Sequence, residues 1–180
     1  MSEPTVRIWE PYVRVFHWGL VASMATAWAT GDEIQSVHEF AGYTAGALVA
    51  SRLVMGFVGG RYTRFTQFVK GPRTVLSYAS SLRRGEERRY LGHNPLGGAM
   101  VVCLLGLVSG IAFTGWLQTT DAYWGIEWVE ELHGLLVDIV IGCLVLHVGG
   151  VIMESRRHKE NLAVAMVTGN KRAPEAGDIA

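Results

Sequence analysis

Four times along the chain the polar residues thin out for about twenty positions, at roughly residues 12–30, 38–59, 95–117 and 129–153. A helix of that length crosses the ~30 Å hydrocarbon core of a bilayer. The pattern predicts an all-α integral membrane protein, a four-helix bundle forming one domain over residues 1–180, with a polar loop at 60–92 and a polar tail at 154–180. The first run is the weakest of the four. Arg7 and Arg14 precede it and Ala27-Trp28-Ala29 ends it, so it also resembles a cleaved secretory signal. Three further spans follow, and cleavage would discard His17, so the run is read as a helix that stays.

The connecting segments refine this. Gly71-Pro72 predicts the start of a short helix with Val75, Leu76, Ala79 and Leu82 to one side, either lying on the inner leaflet or docking a partner. A similar short helix is expected between His158 and Val167, and the last residues, with Pro174 and Gly177, are expected to fray.

Composition agrees with a membrane domain: 49% of the 180 residues are hydrophobic, and mean hydropathy is positive. Sixteen basic and sixteen acidic residues balance, but unevenly along the chain. Arg7 and Arg14 precede the first span, a basic run from Arg61 to Arg89 fills the middle loop, and Arg156 to Arg172 follow the fourth span. The loops around Asp32 to Val37 and Gln118 to Trp128 contain no Lys or Arg. The positive-inside rule therefore predicts both termini and the middle loop in the cytoplasm of a bacterial cell, with the chain multi-pass in the inner membrane. No nucleic-acid partner is expected.

Ionisable residues within a bilayer are costly, which makes the histidines the functional candidates. His133 and His147 are close to four turns apart on one helix, hence on one face and ~21 Å apart in depth. His17 rises about five residues into the first span and His147 stands about six residues before the end of the fourth, so their depths match. His38 and His133 both open spans from the periplasmic side, so they match at the outer level. Any one of these histidines alone is readily a hydrogen-bonded core residue; four at two matched depths are not. Paired imidazoles without nearby carboxylates or thiolates suit the two axial positions of haem iron. Without Cys-x-x-Cys-His, such haem would be non-covalent and b-type. A metal transporter would instead cluster its histidines with carboxylates at one depth.

Supporting positions stay open between two readings. Arg52 either neutralises a haem propionate or snorkels to lipid phosphate. Gly42 and Gly46 either clear space for a porphyrin edge or pack helices, as Gly106-x-x-x-Gly110 does. His93 either contacts a propionate or a quinone, or caps the third span. Asp138 either serves a proton or haem-ligand role or pairs with another helix, and Cys103 and Cys143 read as small apolar residues.

Taken together, Arg14-x-x-His17-Trp18, His38-x-x-x-Gly42-Tyr43, Phe65-x-x-Phe68, Gly71-Pro72, Gly92-His93-Asn94-Pro95, Thr114-Gly115-Trp116, Glu131-Leu132-His133 and Glu160-Asn161-Leu162 resemble the bacterial cytochrome b-561 and nickel-iron hydrogenase b-type cytochrome family. The resemblance covers nearly the whole chain. It implies four helices holding two haems b, ligated by His17 with His147 and by His38 with His133. It also implies electron transfer between the quinone pool and a periplasmic partner, such as a cytochrome c or an oxidoreductase subunit, in a homo- or hetero-oligomer. An electron-transfer protein or oxidoreductase subunit is expected rather than a free-standing enzyme. A superoxide:quinone oxidoreductase is the rival, and the lack of basic residues in both outer loops counts against it.

Overall fold

A computed structural model describes residues 4–31 and 33–180; Asp32, placed above in an acidic outer loop, lies outside the described residues. The chain is mostly helical. In order it forms β1 (Thr5–Arg7), α1 (Pro11–Thr30), α2 (Gln35–Val58), α3 (Phe65–Phe68), α4 (Pro72–Arg84), α5 (Pro95–Gln118), α6 (Glu127–Arg157), α7 (Leu162–Thr168) and β2 (Asn170–Arg172).

Among the described residues three helices, α2, α5 and α6, are long and apolar enough to cross a membrane. The expected first span is a helix of 20 residues, α1, but Arg14, His17, Ser23 and two threonines dilute its apolar run and it is not one of the three. In α6 only 6% of the most apolar window is buried inside the protein. So many outward apolar side chains would be unfavourable against water, and lipid removes that cost.

Packing divides the chain into two units. One comprises Met1–Arg14, Met55–Val102 and Val145–Ala180. Its core gathers Ile8, Trp9, Val13, Leu91 and Ala165. β1 and β2 pair antiparallel, Val6 opposite Lys171. The backbone amides of Ile8 and Trp9 both donate to the carbonyl of Gly169, at 2.9 and 3.0 Å. Gly169 closes α7 with φ of +89°, and a Cβ there would lie 2.8 Å from the carbonyl oxygen of Trp9, so this crossing requires glycine.

The middle loop carries the expected helix, α4, with Gly71 before it, Pro at its start and Gly85 in the left-handed conformation after it. Of its apolar residues Val75, Ala79 and Leu82 are half-buried, whereas Leu76 is 70% exposed. The buried anchor is Tyr78, whose hydroxyl donates to Glu154 of α6 at 3.0 Å.

The expectation of frayed final residues is corrected. Arg89, 5% exposed, donates to Glu160 at 2.8 Å, to Asp178 at 2.5 Å and to the Arg172 carbonyl at 2.9 Å. Lys171, equally buried, donates to the carbonyls of Tyr90 and Leu91 and lies 3.3 Å from Glu160. The backbone of Ile179 exchanges hydrogen bonds with Arg89 and Leu91. A buried guanidinium needs carboxylate partners, and the tail supplies them.

The other unit comprises Val15–Val54 and Cys103–Leu144. Ala41, Ala45, Val49 and Arg52 are buried along one face of α2, at helical spacing. α5 contributes Leu105, Val108 and Ile111, and α6 contributes Val129 and Val140. Helices approach closely where side chains are small. A Cβ on Gly46 would stand 3.4 Å from Ala112, and one on Gly110 would stand 3.1 Å from Leu136.

Candidate functional site

His38 lies in the first turn of α2, where the chain has just turned back from α1. Its Nδ1 is 2.8 Å from the carbonyl oxygen of Ala27, near the end of α1. A carbonyl only accepts, so Nδ1 carries the proton and donates, and Nε2 keeps its lone pair. His133 stands near the start of α6, with Nδ1 3.0 Å from the hydroxyl of Thr114 on α5. Thr114 is 3% exposed, and its hydroxyl also lies 2.8 Å from the Gly110 carbonyl and 3.1 Å from that of Ile111; with its proton on either of these, its oxygen accepts from His133 Nδ1. Nε2 of His133 is then also the ring's lone-pair nitrogen. Beside it, a Cβ on Gly115 would come within 3.2 Å of the His133 ring, so glycine leaves room for the imidazole.

The two rings lie close, with centroids 6.2 Å apart and planes inclined edge-on at 65°. Metal–imidazole bonds are about 2.0–2.1 Å long, and two rings gripping one metal from opposite sides hold their centroids ~6 Å apart. The observed spacing fits that arrangement. Each ring also has the neighbour expected of a metal-binding histidine, an acceptor on the remote nitrogen that fixes tautomer and orientation. Among the described residues no group of three or more His, Cys, Asp or Glu could hold a metal ion. A ligand pair of this kind suits a planar chelate that needs only two axial donors.

Other expected positions fall out differently. A Cβ on Gly42 would meet no atom within 4 Å, as clearance for a porphyrin requires, whereas Gly46 abuts Ala112 and so serves at least the α2–α5 contact. Arg52 is 3% exposed, buried with the inward face of α2. His17 is half-buried in α1, its ring edge-on to Trp18 at 4.9 Å. His147 is half-buried in α6 between exposed Leu146 and Val148, and belongs to the unit that does not contain His17. His93 sits between two aromatic rings, 4.8 Å from Trp9 and 4.6 Å from Phe68. The cap of α5 is Asn94, whose side-chain oxygen accepts from the Gly97 amide at 2.7 Å, so capping is not the task of His93. Asp138 is exposed.

Thr114 and the Ala27 carbonyl have no assigned part in the sequence reading. Thr114-Gly115 stands in the family motif, so a hydroxyl one or two turns across from a span-opening histidine is a usable signal; a backbone carbonyl is none.

Helices fit for lipid, with two imidazoles brought close at the head of two of them, are what a membrane haem protein would need. The family model for prokaryotic cytochrome b561 matches residues 8–169, and the chain belongs to that family. It is a membrane b-type cytochrome, and its work is electron transfer on haem b. Two relatives are named as probable Ni/Fe-hydrogenase B-type cytochrome subunits. The one from Bradyrhizobium diazoefficiens is 22% identical, with 96% of this chain and 88% of the relative covered. The one from Rhodobacter capsulatus is 24% identical, with 93% and 81% covered. No solved structure matches the chain.

Proposed function

We propose that this chain carries electrons across the bacterial inner membrane through two b-type haems, between the quinone pool and a periplasmic redox partner. The protein is then a four-helix bundle with both termini cytoplasmic, in which α1 joins α2, α5 and α6 as a span. His38 and His133 hold the outer haem. His17 and His147, matched in depth, hold the inner one, with Arg52 and His93 beside it and Gly42 giving the outer porphyrin room. The observation that carries this reading is the approach of the His38 and His133 rings to 6.2 Å, each with its Nδ1 tied to a neighbour.

A haem held there supplies a one-electron iron couple. The protein's part is to hold both imidazoles fixed. Ala27 and Thr114 tie the two Nδ1 atoms, so neither ring has to turn when the charge between them changes, and the apolar helices keep water out. The partner is either a cytochrome c or a subunit of an oxidoreductase. What favours the second is that both relatives bear the name of a hydrogenase subunit and are covered over most of their length.

Vesicles provide the test. With purified protein in the bilayer, a reduced quinone in the lipid and oxidised cytochrome c on the side of the acidic loops, cytochrome c should be reduced. His38→Ala should abolish that reduction, and an unchanged rate would refute the route. Thr114→Val keeps the side-chain volume and removes the hydroxyl. It is expected to retain both haems while weakening the outer one by about 10- to 100-fold in a haem titration. Unchanged outer affinity would mean that Thr114 merely packs.

A further inference from the structure

Beside α4 lies an open cleft of about 450 Å³, lined by Arg73, Thr74 and Ser77 of that helix, by Arg88 and Glu86, by Pro95 at the head of α5, and by Ile179 of the tail. It belongs wholly to the unit containing the termini and shares no residue with the histidine pair. Its charge is unbalanced. Glu86 is engaged by Arg84, with Nε 2.6 Å from the carboxylate, and nearby Asp178 is taken by Arg89. Two guanidiniums, Arg73 and Arg88, thus face the cleft without an acidic counterpart there.

Arg88 is placed rather than loose. Its Nε donates to the Gly177 carbonyl at 2.7 Å, which uses one of five N–H groups and holds the planar fork in position. The tail that supplies this carbonyl is itself pinned through Arg89. Hydroxyls of Thr74 and Ser77 add short-range donors on the same face of α4, one turn apart. Guanidiniums with hydroxyls form the donor set that recognises phosphate oxygens.

The cleft's position selects among phosphates. Pro95 opens a helix long and apolar enough to cross a membrane, so the cleft stands where the chain enters lipid. The segment that carries the cleft also exposes apolar side chains outside it: Leu76 of α4 is 70% exposed, and Val69, just before α4, is 45% exposed. A soluble phosphate has no use for those side chains, whereas acyl chains do.

The geometry points to a binding site for the phosphate of an anionic phospholipid headgroup, gripped by Arg73 and Arg88, with its acyl chains in the bilayer that the helix opened by Pro95 would enter. This places α4 against lipid through one specific contact as well as general attraction to the inner leaflet.

The test uses full-length, haem-loaded protein in nanodiscs, with bound lipid counted by native mass spectrometry after release. Wild type should retain phosphatidylglycerol over phosphatidylcholine, and Arg73→Gln with Arg88→Gln should lower that preference by more than the roughly thirtyfold that two basic groups contribute through general surface attraction. Arg83→Gln, on α4 but outside the cleft, is the control and should cost no more than the roughly fivefold of one such group. An unaltered haem spectrum verifies folding. Should the double variant not fold, Arg73→Gln alone decides, since Arg73 is exposed and supports no other contact described here. Inorganic phosphate is titrated in parallel. If it displaces the lipid completely at millimolar concentration, a soluble phosphate is the natural occupant and the lipid assignment falls. Equal lipid retention by wild type and the Arg73/Arg88 variants, or equal loss with Arg83→Gln, would overturn the site altogether.

Discussion

Replacing His133 with alanine is expected to halve the haem content, from two b haems per chain to one, and His38→Ala should do the same. In the proposed arrangement each ring would be one of two donors to the same haem, with Nδ1 tied to Ala27 in one and Thr114 in the other. Removing one imidazole strips an axial bond and opens a space that water can enter. The other haem should keep its low-spin bis-histidine spectrum if His17 and His147 are its ligands, as proposed. The double variant His38→Ala with His133→Ala should lose no more than either single change, since both act on one haem. Loss of both haems in a well-folded single variant would mean that the pairing is wrong. Absorbance of the reduced protein, quantified against chain concentration, decides this.

The second large effect concerns stability. Arg89→Ala should destabilise the packing of the C-terminal tail by about 3–5 kcal/mol, the usual result of leaving buried charges without their partner. Arg89, Glu160 and Lys171 are all nearly inaccessible, so little solvent screening reduces the effect. Hydrogen exchange at the Leu91 and Ile179 amides reports it directly, because both depend on the tail being docked. Full protection in the variant would refute the clamp.

Acid should act on the same cluster. Burial pushes the Glu160 carboxyl up, but the hydrogen bond from Arg89, the charge of Lys171 and the backbone amide of Arg172 outweigh it and hold the group below its ordinary value. Burial likewise raises Asp178, yet the Glu175 amide and Arg89 bring it below the usual range. A carboxyl lowered in the folded state contributes stability that is complete above the unfolded value, about pH 4, and disappears as pH falls through the folded one. Tail protection should therefore persist at neutral pH and collapse in acid below about pH 4. Glu160→Gln should weaken protection already at pH 7.

How much was legible depends on the range of each signal. Three spans and α4 follow from local runs of apolar residues and from Gly71-Pro72, and a short helix near α7 from the run between His158 and Val167, features a few residues wide. The approach of His38 to His133 was also readable, because each opens a helix from the same side, which fixes depth without any contact being known. α1 was harder, since its polar residues, Arg14 and His17 among them, lower its apolar character. The tail was misread for a different reason. Pro174 and Gly177 speak locally for fraying, whereas Asp178 finds Arg89 across 89 residues, and no local pattern announces such a pair. Gly42 and Gly46 look alike in sequence, and only the position of Ala112 separates open space from helix contact. The tie between His38 and Ala27 was invisible because every residue has a carbonyl.

The account rests on two irons, each held between facing imidazoles. Its most direct test is the haem-to-chain ratio of the purified wild-type protein, measured by extracting the haem into alkaline pyridine and by amino-acid analysis of the same sample. Two b-type haems per chain are predicted. A ratio of one or none, in protein produced with ample haem supply, would contradict it.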